Sequence, residues 1–182
     1  MHTPENELNT PCPHFKLRGT DEKIYQIADF ANGNPLLVMF LCNHCPYVKA
    51  IEDRLIVLGQ DLKKQNVHVL AIASNDSNQY PEDSFANLKK RAQEKNYPFI
   101  YLYDESQEVA KAFGAVCTPD FFGYDSQLIL RYRGRLDDSW KDPGQVTQRE
   151  LYDAMMKLKK HQPLTEKQTP SMGCSIKWKT SS

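Results

Sequence analysis

The sequence predicts an α/β fold in which a mixed central β-sheet is flanked by helices. Short continuous apolar runs alternate along the chain with longer segments whose apolar residues recur every three or four positions. Such runs fit strands that are buried on both faces, and such segments fit amphipathic helices. A hairpin pattern over residues 121–132 adds antiparallel strands to the sheet. The 182 residues suffice for one domain of this kind.

The chain divides into three predicted regions. They are a loose N-terminal arm (1–13), a single domain (14–160) and a C-terminal tail that packs on the domain (161–182). The arm is rich in proline and polar residues, as is typical of chain ends without a fixed structure. The tail contains the partly apolar stretch Ser171–Trp178, which favours contact with the domain over exposure to solvent.

The predicted elements of the domain begin with a small β-hairpin between Phe15 and Phe30. The wholly apolar run Leu36–Leu41 then predicts a central strand. The later elements are a helix over about 48–62, a strand at 67–73, a helix at 81–95, a strand at 99–103, a short helix at 105–113, hairpin strands at 121–124 and 128–132, and a last helix at 146–160. Arginines at positions 131, 133 and 135 alternate at the last strand, and we expect them to form a solvent-facing row.

Charge and hydropathy exclude some classes of function. Lys and Arg number 23, and Asp and Glu also number 23, so the formal net charge is zero. Nucleic-acid binding is therefore not expected, because such proteins usually carry a basic excess. No apolar run approaches the ~20 residues that cross a membrane, and the N-terminal residues lack the pattern of a signal peptide. A soluble cytoplasmic protein without a membrane partner is expected.

The chain has five cysteines, at positions 12, 42, 45, 117 and 174. An odd number cannot all pair within one chain, so at least one thiol is free, ligating or reactive. In a reducing cytoplasm, cysteines are more often catalytic, metal-binding or buried than joined in structural disulfides.

The motif Cys42-Asn43-His44-Cys45 lies between the predicted central strand and the first predicted helix. Unpaired N–H groups and the helix dipole at that end of a helix favour a thiolate. A spacing of three residues on a helical turn brings both sulfurs to one side, within reach of a disulfide. We expect Cys42 to be the exposed nucleophile and the more sheltered Cys45 to resolve the mixed disulfide.

Three other residues are candidates for a supporting role. A protonated His44 would stabilise the thiolate. The equally weighted alternative is that His44 is a helix residue that faces solvent. Thr118 and Pro119 precede a predicted strand. A cis bond there would turn the Thr118 backbone toward the dithiol and leave hydrogen-bonding groups free for an extended thiol substrate. An ordinary trans bond at the start of a strand is the alternative.

Together these motifs resemble a known family. The matching segments lie at 42–49, 74–76 together with 80–84, 117–120, 132–138 and 170–179. In this combination the chain resembles the thioredoxin-like superfamily and, within it, the redoxin family of alkyl hydroperoxide reductases and thiol-specific antioxidants. The nearest likeness is to a peroxiredoxin-like group that bears a thioredoxin-type C-x-x-C motif. The resemblance implies a thioredoxin fold with an N-terminal β-hairpin extension and thiol–disulfide chemistry, without a cofactor or metal.

The chain departs from two better-known relatives of this superfamily. Ordinary thioredoxins carry Trp before the first cysteine and Gly-Pro between the pair, whereas Leu41, Asn43 and His44 stand here. Peroxiredoxins carry Pro-x-x-x-Thr/Ser-x-x-Cys, and in that alignment Cys45 takes the peroxidatic position while Cys42 replaces the hydroxyl residue. The hydroxyl that helps to hold the peroxide is therefore missing.

The remaining cysteines are weighed separately. Cys117 is expected to be a small buried core residue, the alternative being an accessory thiol near the dithiol. Cys174 has two equally weighted interpretations. It is either a second resolving thiol that docks on the dithiol or a residue that only packs against the domain. Cys12 lies between two prolines and is expected to be an exposed thiol without a role.

Four functions are consistent with these residues. The leading one is a thiol–disulfide oxidoreductase that acts on protein or small-molecule thiols and disulfides, with thioredoxin or glutathione as the electron donor. The second is a thiol peroxidase with antioxidant activity, in which a peroxide oxidises Cys45 and Cys42, Cys117 or Cys174 resolves the product. The others are soft-metal binding by Cys42 and Cys45 and a redox-regulated binding module.

Overall fold

The computed structural model describes residues 1–3 and 8–180, and it confirms the mixed α/β fold. The strands are β1 (Lys16–Gly19), β2 (Ile24–Gln26), β3 (Leu36–Phe40), β4 (His68–Ala73), β5 (Ile100–Tyr103), β6 (Cys117–Thr118), β7 (Asp120–Tyr124), β8 (Leu130–Arg133) and β9 (Cys174–Ser175). The helices are α1 (Pro46–Lys64), α2 (Phe85–Glu94), α3 (Glu108–Phe113) and α4 (Glu150–Lys159). Short 3-10 helices lie at Ile27–Phe30, Pro81–Asp83 and Pro143–Gln145.

Seven of the strands form the central sheet, in the order β2-β1-β5-β4-β3-β7-β8. β3, β4 and β5 are parallel neighbours, whereas the other pairs in this sheet are antiparallel. The predicted N-terminal hairpin is confirmed: it adds β1 and β2 to the sheet beside β5. β6 and β9 form a separate two-stranded ladder that the sequence pattern did not predict.

The central strand β3 is buried on both faces, as its apolar run predicted. Each of its five residues has no exposed surface. Leu37 and Met39 face a core shared with α1 and α4, whereas Leu36, Val38 and Phe40 face a core shared with α3. This alternation is the two-residue period of a strand. The enclosed strand brings the loop that follows it, with the cysteine motif, to one edge of the sheet.

Three helices begin later than the sequence predicted, and one of them is α3, which begins at Glu108 rather than at residue 105. Pro81 begins only a 3-10 turn, and α2 starts at Phe85 because the Ser84 hydroxyl caps its first turn. α4 starts at Glu150 because the Asp138 carboxylate accepts hydrogen bonds from two backbone N–H groups just before the helix. Among residues 1–3 and 8–180, no helix is both long and apolar enough to cross a membrane.

The N-terminal arm differs from the predicted loose segment wherever it is described. Residue His2 bridges to Met172, and Pro11 bridges to Ile129. Cys12, expected to be exposed, is buried, and its backbone N–H donates to a carbonyl of the β7–β8 hairpin. Residues 1–3 and 8–13 are therefore held by backbone partners that the local sequence does not reveal. Residues 4–7 of the predicted arm lie outside the described residues.

The C-terminal tail packs against the domain over much of its described length. Ile176 is buried in the same core as α3. Its backbone N–H donates to the Val116 carbonyl at 2.9 Å. Further along, the Gln107 side chain donates to the carbonyl of Lys177 and accepts from the N–H of Lys179. The tail thus runs past the edge of the domain that carries the cysteine motif.

Candidate active site

The cysteine motif lies in a loop, and Cys45 rather than Cys42 stands at the start of α1. The helix begins at Pro46, and Cys45 is its N-cap residue with an extended backbone (φ −68°, ψ 124°). A residue before proline is disfavoured in the helical conformation because the proline ring clashes with it. This rule excludes Cys45 from the helix, so the expected helical turn through both cysteines does not form. The helix dipole consequently acts most directly on Cys45.

Both sulfur-bearing residues of the motif are buried. Cys42 is 2% exposed and Cys45 has no exposed surface. The prediction that Cys42 is exposed is therefore wrong for this conformation. Cys42 faces Thr118 across the loop, and Cys45 contacts Cys174 of the C-terminal tail.

The Thr118–Pro119 peptide bond is cis, and Thr118 contacts both cysteines. Its hydroxyl oxygen lies 3.2 Å from the Cys42 sulfur. Its carbonyl oxygen lies 3.3 Å from the Cys45 sulfur and can accept a hydrogen bond from that thiol. The two segments that the sequence singled out, 76 residues apart, thus meet in one site.

Asp83 organises the loop between the two cysteines, although the sequence did not single it out. Its carboxylate is fully buried and accepts a hydrogen bond from the Asn43 backbone N–H at 2.6 Å. It also accepts from the Asn75 side-chain amide at 2.9 Å and contacts the His44 Nδ1 at 2.5 Å. A buried carboxylate needs such partners to offset the loss of water. Asp83 therefore fixes the positions of Asn43 and His44.

His44 is held between Asp83 and an aromatic ring. The imidazole stacks on Tyr80 with ring centroids 4.9 Å apart, and its side chain is 19% exposed. The solvent-facing helix position, one of the two equally weighted interpretations of His44, is therefore not found, since His44 precedes α1 and is mostly buried. The contact with the Asp83 carboxylate orients the ring.

One group of potential metal ligands exists among the described residues. Cys42, His44 and Asp83 each bring one ligand atom, and these atoms lie within 4.8 Å of one another. Each of these side chains already has a protein partner, namely Thr118 for Cys42 and the mutual contact of His44 and Asp83. Cys45 does not belong to the group, so its geometry differs from the Cys42–Cys45 metal site that the sequence suggested.

The surroundings of Cys45 favour a thiolate. The Cys42 thiol lowers the pKa of Cys45 most strongly as a hydrogen-bond donor, and the Cys174 thiol acts in the same sense. The Val48 and Cys174 backbone N–H groups add to this effect, although Cys45 makes no regular side-chain cap hydrogen bond. Against the opposing effect of burial, these donors lower the pKa of Cys45 to about 4.

The surroundings of Cys42 favour the protonated thiol. Its interaction with Cys45 raises the pKa of Cys42, and burial and the negative charge of Asp83 raise it further. The order of acidity within the pair is therefore opposite to the expected one. The main physical cause is the hydrogen bond between the two thiols, in which Cys42 is the donor. Cys45 receives further donors, whereas burial and the charge of Asp83 disfavour a Cys42 thiolate.

Cys174 is the third thiol of the site. β9 pairs with β6 in antiparallel register, with Cys174 opposite Thr118. Cys174 is only partly buried, and it interacts with Cys45 through both its thiol and its backbone N–H. Burial, followed by the contact with Cys45, raises the pKa of Cys174 to about 11.

The other cysteines take no part in this contact. Cys117 has no exposed surface, and its sulfur points to the Pro119 carbonyl at 3.8 Å. Burial raises the pKa of Cys117 to about 12. Cys12 belongs to the core beside Tyr124, and burial raises its pKa to about 12 as well. Both thiols are thus poor nucleophiles where they lie.

A cleft of about 340 Å³ runs along Pro119 on the outer side of the site. Tyr47 and Trp140 form part of its wall, with ring centroids 4.8 Å apart, and Met172 of the tail lines it too. Trp140 is 44% exposed. A larger cleft of about 710 Å³, lined by α4 and the segment after it, contains none of the five cysteines.

The sequence can now be compared with known proteins. Residues 8–138 match the model of the AhpC/TSA family. The chain belongs to the AhpC/TSA family. An uncharacterized conserved protein from Geobacillus kaustophilus has a crystal structure that superposes with a TM-score of 0.94 at 44% sequence identity, covering 100% of this chain and 97% of that chain. A hypothetical protein from Sinorhizobium meliloti 1021 superposes with a TM-score of 0.92 at 36% identity, covering 99% of each chain.

A curated relative of this AhpC/TSA protein has a named activity. The thiol:disulfide interchange protein DsbE of Yersinia pestis is 26% identical over 135 residues. The match covers 72% of this chain and 66% of the Yersinia protein, which is just under two thirds of its length. A thioredoxin-domain structure from Bacteroides vulgatus superposes with a TM-score of 0.64 at 13% identity, covering 84% of this chain and 98% of that chain, and supports the predicted thioredoxin-like fold.

Some residues of this AhpC/TSA site lie outside the sequence predictions. Asp83 and Asn75 belong to segments that matched the family by pattern only, with no role assigned. Gln107, which holds the tail, lies in a predicted helix and carries no motif. A buried acid is recognised from its hydrogen-bond partners and not from local spacing. Only the position of Asp83 in the matched segment 80–84 could have drawn attention to it.

Proposed function

We propose that the protein is a thiol–disulfide oxidoreductase in which Cys42 and Cys45 alternate between a dithiol and a disulfide. The observation that carries this proposal is the meeting of both thiols with Thr118, with Cys45 at the N-terminus of α1. Such an arrangement supports a reactive thiolate next to a partner that can resolve a mixed disulfide. The similarity to a thiol:disulfide interchange protein supports the same reaction class.

The proposed exchange has two steps. The Cys45 thiolate attacks one sulfur of a disulfide, forms a mixed disulfide and releases one thiolate, which takes up a proton. Cys42 then gives up its proton and attacks the Cys45 sulfur, which forms the Cys42–Cys45 bond and releases the second thiol. Two electrons pass from the pair to the substrate, and the reverse sequence oxidises a dithiol. The sequence-based alternative, in which Cys42 attacks first, exchanges the two roles.

The substrates in this proposal are protein or small-molecule thiols and disulfides. The cleft beside Pro119, with Tyr47 and Trp140 in its wall, offers an apolar surface for the residues that flank a substrate cysteine. As predicted from the sequence, we place the reaction in the cytoplasm, where thioredoxin or glutathione can return the pair to the dithiol.

Reduction of insulin disulfides by the full-length protein, with dithiothreitol as the electron source, tests the proposal. We expect Cys42→Ser and Cys45→Ser each to abolish catalysed reduction, because each removes one half of the dithiol. Cys12→Ser, which replaces a buried thiol outside the site, is the matched control and should reduce insulin at the wild-type rate. Wild-type activity in both Cys42→Ser and Cys45→Ser would contradict the proposal.

The same chemistry separates the two assignments of the attacking thiol. In a protein that also carries Cys174→Ser, the Cys42→Ser variant retains the Cys45 thiolate and should form a stable mixed disulfide with glutathione, whereas the Cys45→Ser variant should not. The opposite result would restore Cys42 as the attacking thiol while leaving the oxidoreductase proposal intact.

A thiol peroxidase is the second candidate, and the Cys45 thiolate at a helix N-terminus favours it. A peroxide would oxidise Cys45 to a sulfenic acid, releasing water, and a second thiol would then condense with it to a disulfide. The Thr118 hydroxyl lies beside Cys42 rather than Cys45, so among the described residues no hydroxyl in hydrogen-bond contact with Cys45 replaces the missing peroxiredoxin residue. Stopped-flow mixing with hydrogen peroxide tests this candidate, and a rate equal to that of free cysteine would exclude it.

A further inference from the structure

The C-terminal strand β9 occupies the edge of β6 that lies directly before Pro119. The two strands pair through Cys117 with Ser175 and Thr118 with Cys174. The Ser171 hydroxyl donates to the Pro119 carbonyl at 2.8 Å, which continues the contact past the cis bond. An extended segment on an open strand edge is the binding mode of many peptide ligands. The tail therefore sits where an extended substrate would pair.

Close backbone contact fixes the register of this segment. Gly173 is buried, and a Cβ atom placed on it would lie 1.9 Å from the Thr118 carbonyl oxygen. Since real Cβ atoms do not approach a backbone atom this closely, only glycine fits at this position. The next residue, Cys174, is thereby delivered to Cys45.

The three thiols of the site differ in access to solvent. Cys42 and Cys45 are almost fully buried, whereas Cys174 is only partly buried. Cys174 interacts with Cys45 through its thiol. In this conformation Cys174 is therefore the thiol of the site nearest to solvent. Disulfide exchange between Cys174 and Cys42 would proceed through Cys45, which contacts both.

We propose that Cys174 relays disulfide exchange between the buried Cys42–Cys45 pair and thiols or disulfides outside the protein. The proposal rests on the dithiol function proposed above and adds a third reacting residue to it. The carrying observation is the juxtaposition of Cys174 with Cys45 in the β6–β9 ladder.

The relay step is an internal exchange that consumes no oxidant. Starting from the Cys42–Cys45 disulfide, Cys174 loses its proton and attacks the Cys45 sulfur. The Cys42–Cys45 bond breaks, a Cys45–Cys174 bond forms, and Cys42 leaves as a thiolate that takes up one proton. The oxidation level of the protein is unchanged, but one sulfur of the disulfide is now at the partly exposed position.

An external thiol completes the cycle. Its thiolate attacks the Cys174 sulfur and forms a mixed disulfide there, and Cys45 leaves as a thiolate. Cys45 suits this role because a thiol of low pKa is a good leaving group. A second external thiol then attacks the mixed disulfide, which yields an external disulfide and free Cys174. In sum, two external thiols become one disulfide, and the Cys42–Cys45 disulfide becomes a dithiol.

Disulfide mapping of the full-length protein tests the relay. The reduced protein is exposed to limiting glutathione disulfide, quenched with acid and N-ethylmaleimide, digested with trypsin and analysed by mass spectrometry. Lys23 and Lys49 bound the peptide that holds both motif cysteines, and Lys167 and Lys177 bound the one that holds Cys174. A bond from the motif to Cys174 therefore joins two peptides, whereas a Cys42–Cys45 bond closes a loop within one.

The Cys42→Ser variant assigns the bond to Cys45. We expect it to accumulate the Cys45–Cys174 disulfide, because the competing partner of Cys45 is absent. A Cys42→Ser protein in which Cys45 carries glutathione while Cys174 stays free would overturn the relay.

Two further variants test whether the relay is used. Cys174→Ser should still form the Cys42–Cys45 disulfide with glutathione disulfide but should lose reduction of insulin. Gly173→Ala keeps all five cysteines but displaces β9 from Thr118, and it should lose the Cys45–Cys174 disulfide. Cys12→Ser is the control and should retain both disulfides and the activity. Insulin reduction at the wild-type rate by Cys174→Ser would overturn the proposal.

The outcomes separate the relay from the underlying function. If the wild-type protein forms no Cys42–Cys45 disulfide and Cys42→Ser keeps full activity, the dithiol function itself is wrong. If that disulfide forms and Cys42→Ser is inactive, while Cys174→Ser behaves as wild type, the dithiol function stands and the relay alone fails.

Discussion

Pro46 determines which cysteine of the motif lies at the N-terminus of α1. Pro46 keeps Cys45 in an extended conformation, so α1 begins immediately after it. Cys45 is then the N-cap residue, close to the unpaired N–H groups of the first turn. Cys42 lies three residues earlier, beside the buried Asp83 carboxylate, whose charge raises its pKa. Local backbone restrictions thus place two chemically identical side chains in different surroundings.

The pH dependence of thiolate formation follows from this difference. The pKa of Cys45 lies at about 4, below the ordinary thiol value of 9.0, so Cys45 is ionised above about pH 4 and loses its charge below it. Thiolate absorbance near 240 nm in the reduced protein should therefore show one step near pH 4. Cys45→Ser should remove that step, and Cys12→Ser should not. A first thiolate that forms only above about pH 8 would contradict the assignment.

Asp83→Asn should lower the pKa of Cys42. Without the negative charge, one cause of the raised pKa of Cys42 disappears, so the Cys42 thiolate should form at lower pH than in the wild type. The same absorbance titration measures this shift. Glu82→Gln removes a charge from an exposed neighbour and should leave the titration unchanged. An unaltered upper titration step in Asp83→Asn would show that its charge does not control Cys42.

At the scale of elements, the site is formed by pieces that are distant in sequence. β3 carries the motif loop, the 3-10 turn Pro81–Asp83 supplies the organising carboxylate, and β6 supplies Thr118. The tail joins these pieces, because Asn75 binds Asp83 with its amide and accepts the Lys177 backbone N–H with its oxygen. A change in the tail can therefore reach the loop between the cysteines through two hydrogen bonds.

Ile176 anchors the C-terminal tail to the domain, and truncation of the Ile176 side chain should release the tail. Ile176→Ala removes a buried side chain at a cost of about 2–5 kcal/mol, and the loss should fall on the tail because it can open without the sheet. Amide hydrogen exchange should then be faster at Ile176, whose N–H donates to the Val116 carbonyl. Trp178→Ala, at an exposed position of the same tail, is the control and should exchange nearly as the wild type. Equal exchange in both variants would contradict this anchoring role.

At the scale of the whole molecule, a buried ion pair joins three elements near the site. The Arg133 guanidinium donates to the Asp120 carboxylate at 2.8 Å and to the Gly114 carbonyl at 2.9 Å. It thus links β8, β7 and the end of α3. The expected solvent-facing arginine row is wrong at this position, since the Arg133 side chain is only 2% exposed. Burial raises the pKa of Asp120 to about 6, although Arg133 opposes that rise.

Removal of Arg133 should destabilise the fold as a whole. Arg133→Met leaves the Asp120 carboxylate buried without its main partner, and loss of one member of a buried pair costs about 3–5 kcal/mol. The free energy of unfolding in urea measures the cost. Arg131→Met breaks the more exposed pair with Asp125 in the same strand and should cost only about 0–1 kcal/mol. Equal losses in the two variants would contradict the importance of burial here.

The sequence by itself determined the fold class, the central strand and the N-terminal hairpin, and it singled out the Cys42–Cys45 motif. These features depend on local patterns, because an apolar run or a C-x-x-C spacing acts through neighbouring residues. It also contained the rule that places Cys45 before α1, since the restriction by Pro46 is local. Asp83 could not be assigned in this way, because a buried acid is defined by partners from other segments.

Only the tertiary structure decided which thiol is acidic, which thiols are covered and where the chain ends pack. Burial, charge and hydrogen-bond donors act through space, so Cys42 and Cys45 acquired their properties from Asp83, Thr118 and the tail. The β6–β9 ladder joins residues more than 50 positions apart and has only two residues in each strand. Such short strands carry no periodicity, and their pairing depends on the packing of the tail against the finished domain.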